Sequence, residues 1–341
     1  MFILAIETSC DDTCAAVLKN DRILSNVISS QTDLHSPWGG VVPDIAKRAH
    51  AERIEPVIAT ALKRAKITME AIDVIAVTQG PGLAIALGVG IAKAKSLALT
   101  YHKKLVAVNH IEGHLLSNIA KNSKGKPDRN ILFPALGLTV SGGHTKLVYI
   151  EAVGKYKVVG ETLDDAAGEA LDKAAKMMGL GYPGGPIIEQ LARGGSDTFL
   201  NLPRPMSAIK TLDYSFSGLK TSFYYQIKDW SGEKIASHLN DLAATFQKAV
   251  LDTLLLKFEK AVEIYQPKTL LIAGGVAANG EFRKAGRRLA GTYHIPLLMP
   301  AIKALNTDNA AMIGVVGYYQ ALRGEYVAKI EELERDARLE L

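Results

Sequence analysis

His110 and His114 lie four residues apart in VNHIEGH, residues 108–114. On a helix, positions i and i+4 share a face, so both imidazoles can reach one cation. A zinc protease needs a glutamate directly after the first histidine. Here Glu112 stands two positions on, about 200° round a helix, and is expected to point off the ligand face. The pair therefore offers two ligands without a general base, which argues against a metalloprotease. Two surface histidines on one helical turn fit the same spacing. A third ligand would decide between these readings, and the best candidate is Asp308 in ALNTDNAAMIG. It follows the predicted strand YHIPLLMP and precedes an apolar helical run, so it is expected at a strand's carboxyl end. Two histidines and one carboxylate leave positions open on the metal, a set that suits iron(II), or zinc with substrate in the remaining place. Aspartate also favours helix N-caps, a role for which Asn306 and Thr307 compete.

Other strings carry weaker chemistry. Residues 163–192 read as a helix, a glycine-rich turn and a second helix. Gly184 and Gly185 precede Pro186, a good first helical residue, and a helix N-terminus behind such a turn can approach a ligand closely. Glu189, just inside that helix, is placed to accept hydrogen bonds from ribose hydroxyls, and Asp172 sits on the helix before it. For both acids a solvated helical face fits as well. The turn in IAGGVAANG, residues 272–280, lets a base or ribose lie against the backbone, with Asn279 able to donate or accept at a base edge. SFSGLKT, residues 215–221, reads equally as a substrate loop or a surface turn. Cys10 and Cys14 have neither the spacing nor the second pair of a metal site and read as small core thiols in a reducing compartment. Trp38 and Trp230 read as packing residues.

The elements that must position these residues follow a pattern. The apolar runs ILAIETS, DVIAVTQGPG, LVAVNH, ALGLTVSGG and TLLIAGGVAAN each end in small or polar residues and pass into helical periodicity. That is α/β architecture with functional loops at the carboxyl ends of strands. A strand meander occurs twice. ILAIETS, TCAAVLKN and RILSNVIS form one; ALGLTVSGG, HTKLVYIEAV and YKVVGETL form the other. Two such halves, each with a polar first turn (ETSCDDT and VSGGHT), have the layout of the actin, hexokinase and Hsp70 superfamily. In that layout the domains face each other across a central cleft, and their turns flank a nucleotide's phosphates. The expected domains are residues 1–128, with the C-terminal helix from about 308 folding back onto them, and residues 129–307. The polar stretch 121–130 is the expected link.

The 341 residues are 48% hydrophobic and 22% charged, which excludes a collagen, a coiled coil and a disordered acidic chain. No run of eighteen apolar residues occurs, so no membrane helix is expected. The start, MFILAIETS, reads as a buried strand rather than a signal peptide, and a cytoplasmic protein is expected. The net charge of +5 permits a polyanionic partner such as RNA. Small basic clusters at Lys121–Lys126 and Arg283–Arg288 fit a solvated surface.

Taken in order, ETSCDDT, GGVVPDIAKRAH, GPGL, NHIEGH, VSGGHT, DDAAGEALDK, YPGGP, FSGLKT, AGGVAAN and TDNAAMIG span nearly the whole chain. In that ordered set the chain resembles the TsaD family, the tRNA threonylcarbamoyladenosine transferases. The resemblance implies transfer of a threonylcarbamoyl group from threonylcarbamoyl-AMP to N6 of adenosine 37, beside the anticodon, in tRNAs reading ANN codons. It matches His110, His114 and Asp308 to ligands for one divalent metal per chain, iron(II) ahead of zinc. It matches Thr139, Val140, Ser141, Gly142 and Gly143, with Asp172, Gly185, Glu189 and Asn279, to the adenylate site. Asp11 and Asp12 match the acidic pair of the first turn, and either can accept the amine proton. The family usually carries glutamate where this chain has Asp12 and Asp44, and often a small residue near Ala84 and Ile85. The resemblance also implies a TsaB-like paralogue and a TsaE-like ATPase as partners. The helices at 43–63 and 83–99 would form the pairing surface, with Ala86 on it. The alternative reading is an ATPase or small-molecule kinase of the same fold. It needs carboxylates around Mg²⁺ at a γ-phosphate and has no use for NHIEGH.

Overall fold

The computed structural model describes residues 1–341, the side chain of Lys303 excepted. The chain divides into two compact units, Met1–Ile131 with Pro300–Leu341, and Leu132–Met299.

The first unit opens with β1 (Phe2–Glu7), β2 (Asp12–Lys19) and β3 (Arg22–Ser30). A short helix α1 (Thr32–His35) leads to α2 (Pro43–Ala65), which begins on proline at its first position. β4 (Val74–Gly80), α3 (Ala84–Thr100), β5 (Lys104–Asn109) and α4 (His110–Leu116) follow. The strand order is β3-β2-β1-β4-β5. β1, β2 and β3 pair antiparallel, while β4 runs parallel to β1 and β5 parallel to β4. β1 is central and buried from Ile3 to Glu7, as a strand covered on both faces must be.

The second unit repeats this plan. β6 (Ala135–Val140), β7 (Thr145–Ala152) and β8 (Lys155–Glu161) form its meander. Five helices follow: α5 (Ala167–Met177), α6 (Gly184–Ala192), α7 (Ser217–Ile227), α8 (Gly232–Ser237) and α9 (Leu239–Tyr265). β9 (Thr269–Ala273), α10 (Gly280–Thr292) and β10 (Leu297–Leu298) complete it. The order β10-β9-β6-β7-β8 reproduces the first sheet, with β9 parallel to β6 and β10 parallel to β9. The duplicated meander read from the sequence is this pair of sheets, the actin, hexokinase and Hsp70 type of α/β fold.

The chain then returns to the first unit as α11 (Ala310–Arg323), a largely buried helix packed on β1, β2 and β4. Close approach needs missing side chains. A Cβ on Gly317 would stand 2.7 Å from the Ala76 methyl, and one on Gly113 in α4 would stand 3.1 Å from Ile313 Cδ1. Glycine at these two positions lets α11 settle against the sheet and against α4.

One expectation about α3 needs correction. Ala86 is fully buried, beside the buried Leu87. It faces the core of its own unit because α3 packs on β4 and β1 and, side by side on the sheet, against α2. The exposed residues of α3 are Ala92, Ser96, Leu99 and Thr100, with Ala84, Ile85, Gly88, Val89, Lys93 and Lys95 half-buried.

Candidate metal centre and anion-binding turn

α4 begins directly at the end of β5. Asn109 is its N-cap, with Oδ1 accepting the Ile111 and Glu112 amides at 2.8 and 3.4 Å. That leaves His110 as the first helical residue, with no capping task. All of α4 is buried: His110 is 2% exposed and His114 0%. Two surface histidines are therefore excluded.

Asp308 meets them from the other end of the unit. Asn309, rather than Asp308, Asn306 or Thr307, caps α11, its Oδ1 accepting Met312 N at 3.0 Å. Asp308 Oδ1 lies 3.5 Å from His110 Nε2 and 3.2 Å from His114 Nε2. One ligand atom from each of the three residues falls within 4.8 Å of the others. Glu112 is buried but is not part of this group.

The set fits a divalent metal on two further observations. Nδ1 of the fully buried His114 ring lacks a hydrogen-bond partner among the described residues, and Nε2 has the Asp308 carboxylate 3.2 Å away without good hydrogen-bond geometry, an arrangement that a cation between Nε2 and the carboxylate would satisfy. His110 is held in the required tautomer. Its Nδ1 donates to Glu7 Oε2 at 3.1 Å, which turns Nε2 towards Asp308. Glu7 is itself fully buried. It accepts from the Thr78 hydroxyl at 2.6 Å and from the Ser9 amide. Burial alone would push the His110 pKa down, but the Asp308 and Glu7 charges outweigh it and raise the value to about 9. Burial opposes ionisation of Glu7 too, and the His110 cation lowers its pKa in spite of that. Burial, with His110 beside it, lowers His114.

Glu7 is the residue that spacing missed. The signal was present, a carboxylate at the end of an apolar strand, where burial demands a partner.

Asp11 lies in the turn between β1 and β2 and Asp12 is the first residue of β2, both half-buried. Burial raises both. Asp12 reaches about 7, with the charges of Asp308, Asp11 and Glu7 adding to the effect, and its Oδ1 has no hydrogen-bond partner.

The matching turn of the second unit is built differently. After Thr139 and Val140 at the end of β6, Ser141 N donates to His144 O at 2.8 Å, and Ser141 Oγ accepts His144 N at 3.1 Å. Gly142 and Gly143 project from this closed turn, with nothing within 4 Å of where a side chain would start. Thr139 Oγ1 is buried without a partner. The other expected adenylate residues carry local structure. Asp172 Oδ1 accepts the amides of Gly184 and Gly185 at 2.7 and 3.2 Å, at the start of α6. Glu189 Oε1 accepts Gly280 N at 3.0 Å. Asn279 caps α10 through Phe282 N at 3.0 Å and donates to Gln247 Oε1 at 2.7 Å. A cavity of about 640 Å³ opens beside Glu189, Gln247 and Gly280. SFSGLKT starts α7 and is tied to DDAAGEALDK. Asp164 Oδ1 accepts the Phe216 and Ser217 amides at 2.7 and 3.2 Å, and Asp165 pairs with Lys173 and Lys220 at 2.5 Å each.

Residues 22–315 match the family model described as TsaD, tRNA N6-adenosine threonylcarbamoyltransferase. The chain belongs to the TsaD family. Relatives bearing that enzyme name include one from Phocaeicola vulgatus, 45% identical over 327 residues, covering 95% of each chain. Another, from Bacillus subtilis, is 47% identical over 333 residues, covering 96% of this chain and 93% of its own. Among solved structures, HypF from T. kodakarensis shares the fold, with a TM-score of 0.61 at 14% identity over 95% of this chain and 48% of its own. The enzyme is therefore a transferase of the threonylcarbamoyladenosine type, and the ATPase or kinase alternative is not favoured. Among the described residues no helix is long and apolar enough to cross a membrane.

Proposed function

We propose that this TsaD-family enzyme uses His110, His114 and Asp308 to hold one divalent metal, iron(II) ahead of zinc, while it moves threonylcarbamoyl from threonylcarbamoyl-AMP to N6 of adenosine 37 in tRNA. The observation that carries this reading is the convergence of the three buried donor groups, with Glu7 fixing the His110 tautomer. When bound, the metal supplies Lewis acidity towards the threonylcarbamoyl group. Glu7, Ser9 and Thr78 keep the ligand set rigid. The turn of Thr139, Val140, Ser141, Gly142 and Gly143 offers backbone N–H groups to the adenylate phosphate. Asp172, Gly185, Glu189 and Asn279 shape the surface on which the nucleoside rests.

The adenine amine is a weak nucleophile because its lone pair is delocalised into the ring, so a positioned proton acceptor matters. Asp12, with its pKa near 7 and an unpartnered Oδ1, suits that task better than Asp11. The partners we propose are a TsaB-like paralogue, seated on the exposed side of α2 and α3, and a TsaE-like ATPase, all in the cytoplasm. The test is a transfer assay. Purified enzyme is mixed with threonylcarbamoyl-AMP and unmodified tRNA, with and without the partners, and nucleosides are read by mass spectrometry. Modified adenosine that depends on metal and on Asp308 is the expected result. Metal-independent transfer by Asp308→Ala at the wild-type rate would remove the metal from the mechanism.

A further inference from the structure

The two tryptophans, both expected as packing residues, have different surroundings. Trp230 packs edge-on against Phe199 and His238, with Lys234 Nζ over its ring. Trp38 is 65% exposed, more than any other large apolar side chain among the described residues, and it makes no ring or cation contact among them. The packing expectation fails at Trp38 because the chain turns there. Gly39 N donates to Ser36 O at 3.1 Å, and Gly39 takes a left-handed φ of 68°, which leaves the indole inside a closed turn. Exposure alone is ordinary; the place of this side chain is not.

The strand register puts the Trp38 loop at the same end of the first sheet as the candidate metal ligands, within the same unit. Glu7, ending β1, pairs with Cys14, and Asp12, opening β2, pairs with Ser30 at the end of β3. The loop from Gln31 to Val42 therefore leaves the sheet two strands from Glu7, about 10 Å at ordinary strand spacing. From Gln31, α1 and the single turn Ser36–Trp38 add on the order of 10 Å more. The loop is also braced to the acidic turn. Gln31 N donates to Asp11 O at 3.1 Å. Val42 N donates to Nδ1 of the buried His35 at 3.2 Å, so Nε2 carries the ring proton and donates to Oε1 of the buried Gln31 at 3.2 Å. These bonds hold both ends of the segment that carries the indole.

We propose that Trp38 is a stacking platform for an unpaired anticodon-loop base that neighbours the modified adenosine. The inference rests on the transferase reading above and deepens it by naming a contact for the RNA. The target adenine must leave the loop stack for its N6 to reach the reacting carbon, and its neighbours then lose a stacking surface. A bare indole on a fixed loop replaces that surface. Every base has a π face, so one platform serves tRNAs of different loop sequence.

The test uses the full chain in a Trp230→Phe background, where Trp38 is the sole tryptophan. The probe is a synthetic anticodon stem-loop from a tRNA reading an ANN codon, compared with a blunt RNA duplex of the same stem. The stem-loop is expected to quench Trp38 fluorescence saturably, and the duplex is not. Trp38→Ala should weaken stem-loop binding, read by anisotropy of a labelled RNA, roughly five- to a hundredfold. In the transfer assay its KM for RNA should rise while kcat and metal content stay near wild type. Trp38→Phe, which keeps an aromatic face, should recover most of the affinity. Leu322→Ala, at a similarly exposed apolar position near the far end of α11, should change nothing. Wild-type affinity in Trp38→Ala, or equal quenching by the duplex, overturns the proposal and leaves the transferase reading intact. Loss of a protein partner with unchanged RNA affinity also overturns it. A wild-type chain that neither binds the stem-loop nor transfers threonylcarbamoyl overturns both.

Discussion

The two sheets share one topology, yet the turns after their first strands are built for different chemistry. In the first unit the strand ends in a buried carboxylate, Glu7, the turn carries Asp11, and Asp12 opens the next strand. Side chains elsewhere in the unit brace it. His50 Nε2 donates to Cys10 O at 3.0 Å while its Nδ1 accepts the Thr13 hydroxyl at 2.8 Å, and Gln31 N donates to Asp11 O at 3.1 Å. In the second unit the corresponding turn has no acid, closes on itself through Ser141 and His144, and leaves two glycines open to solvent. One turn presents charged side chains beside the candidate metal ligands. The other presents bare backbone. A duplicated fold thus offers two scaffolds of one sheet topology whose carboxyl-end turns diverge, one rich in carboxylates, as the proposed cation and proton chemistry needs, the other in open backbone, as the proposed anion contact needs.

The largest break in that comparison comes from the metal ligands. Asp308→Ala or His114→Ala leaves two protein ligands, and metal content by elemental analysis should fall from one per chain to near zero. Transfer should fall at least about a hundredfold with it. Glu112→Gln, outside the ligand group, should keep the metal. If Glu112→Gln empties the site while Asp308→Ala does not, the ligand set is wrong. Next in size is Glu7→Gln. It removes the charge that orients His110 and should weaken metal binding by about 10–100-fold, read by competition with a chelator, with the circular dichroism of the folded chain preserved. Wild-type affinity in that variant would show that His110 needs no outer support.

The sequence made the strands and both meanders legible because each strand is an apolar run stopped by polar or glycine residues. The convergence of His110, His114 and Asp308 was legible because histidines four apart and an aspartate before a helix carry fixed geometric meaning. What stayed hidden depends on contacts distant in sequence. Glu7 reaches His110 across about a hundred residues, and nothing in either local string announces the other. Asp172, Glu189 and Asn279 were expected to face a ligand, and the structure adds a task the sequence did not announce: each has an oxygen committed to backbone amides at a helix start. Spacing cannot tell a carboxylate that meets substrate from one that caps a helix, since the same residue types serve both. Ala86 misled for a related reason. A helix rich in small apolar residues looks one-sided only after its neighbours on both sides are known.

The glycines sharpen the contrast within the second unit. Gly168, at the start of α5, packs onto the turn proposed to meet the phosphate, and a side chain there would stand 2.6 Å from Ser141 O and 2.9 Å from Gly142 Cα. Backbone must move to admit it, so Gly168→Ala should cost about 1–3 kcal/mol in denaturant melts. Gly143→Ala meets open space, so its stability should change by less than about 0.5 kcal/mol, while affinity for an adenylate analogue falls as the methyl enters the approach to the backbone. Equal calorimetric affinity for Gly143→Ala and wild type would move the phosphate elsewhere.

The smallest effect concerns the tie between DDAAGEALDK and FSGLKT, which has no counterpart in the first unit's turn. Burial of the Asp164 carboxyl acts to raise its pKa, but hydrogen bonds from Ser215, Phe216 and Ser217 outweigh it and hold the group below the usual range. A carboxylate with a depressed folded-state pKa contributes stability above the unfolded value, near 4, and loses that contribution as pH falls through the folded value. Asp164→Asn keeps the shape and removes the charge. It should cost about 1 kcal/mol at neutral pH, the size of a helix cap, and the difference from wild type should shrink as pH drops below about 4. Thermal melts of the two proteins across that range check the sign: curves that diverge in acid rather than converge would mean that Asp164 does not act as a carboxylate cap for α7.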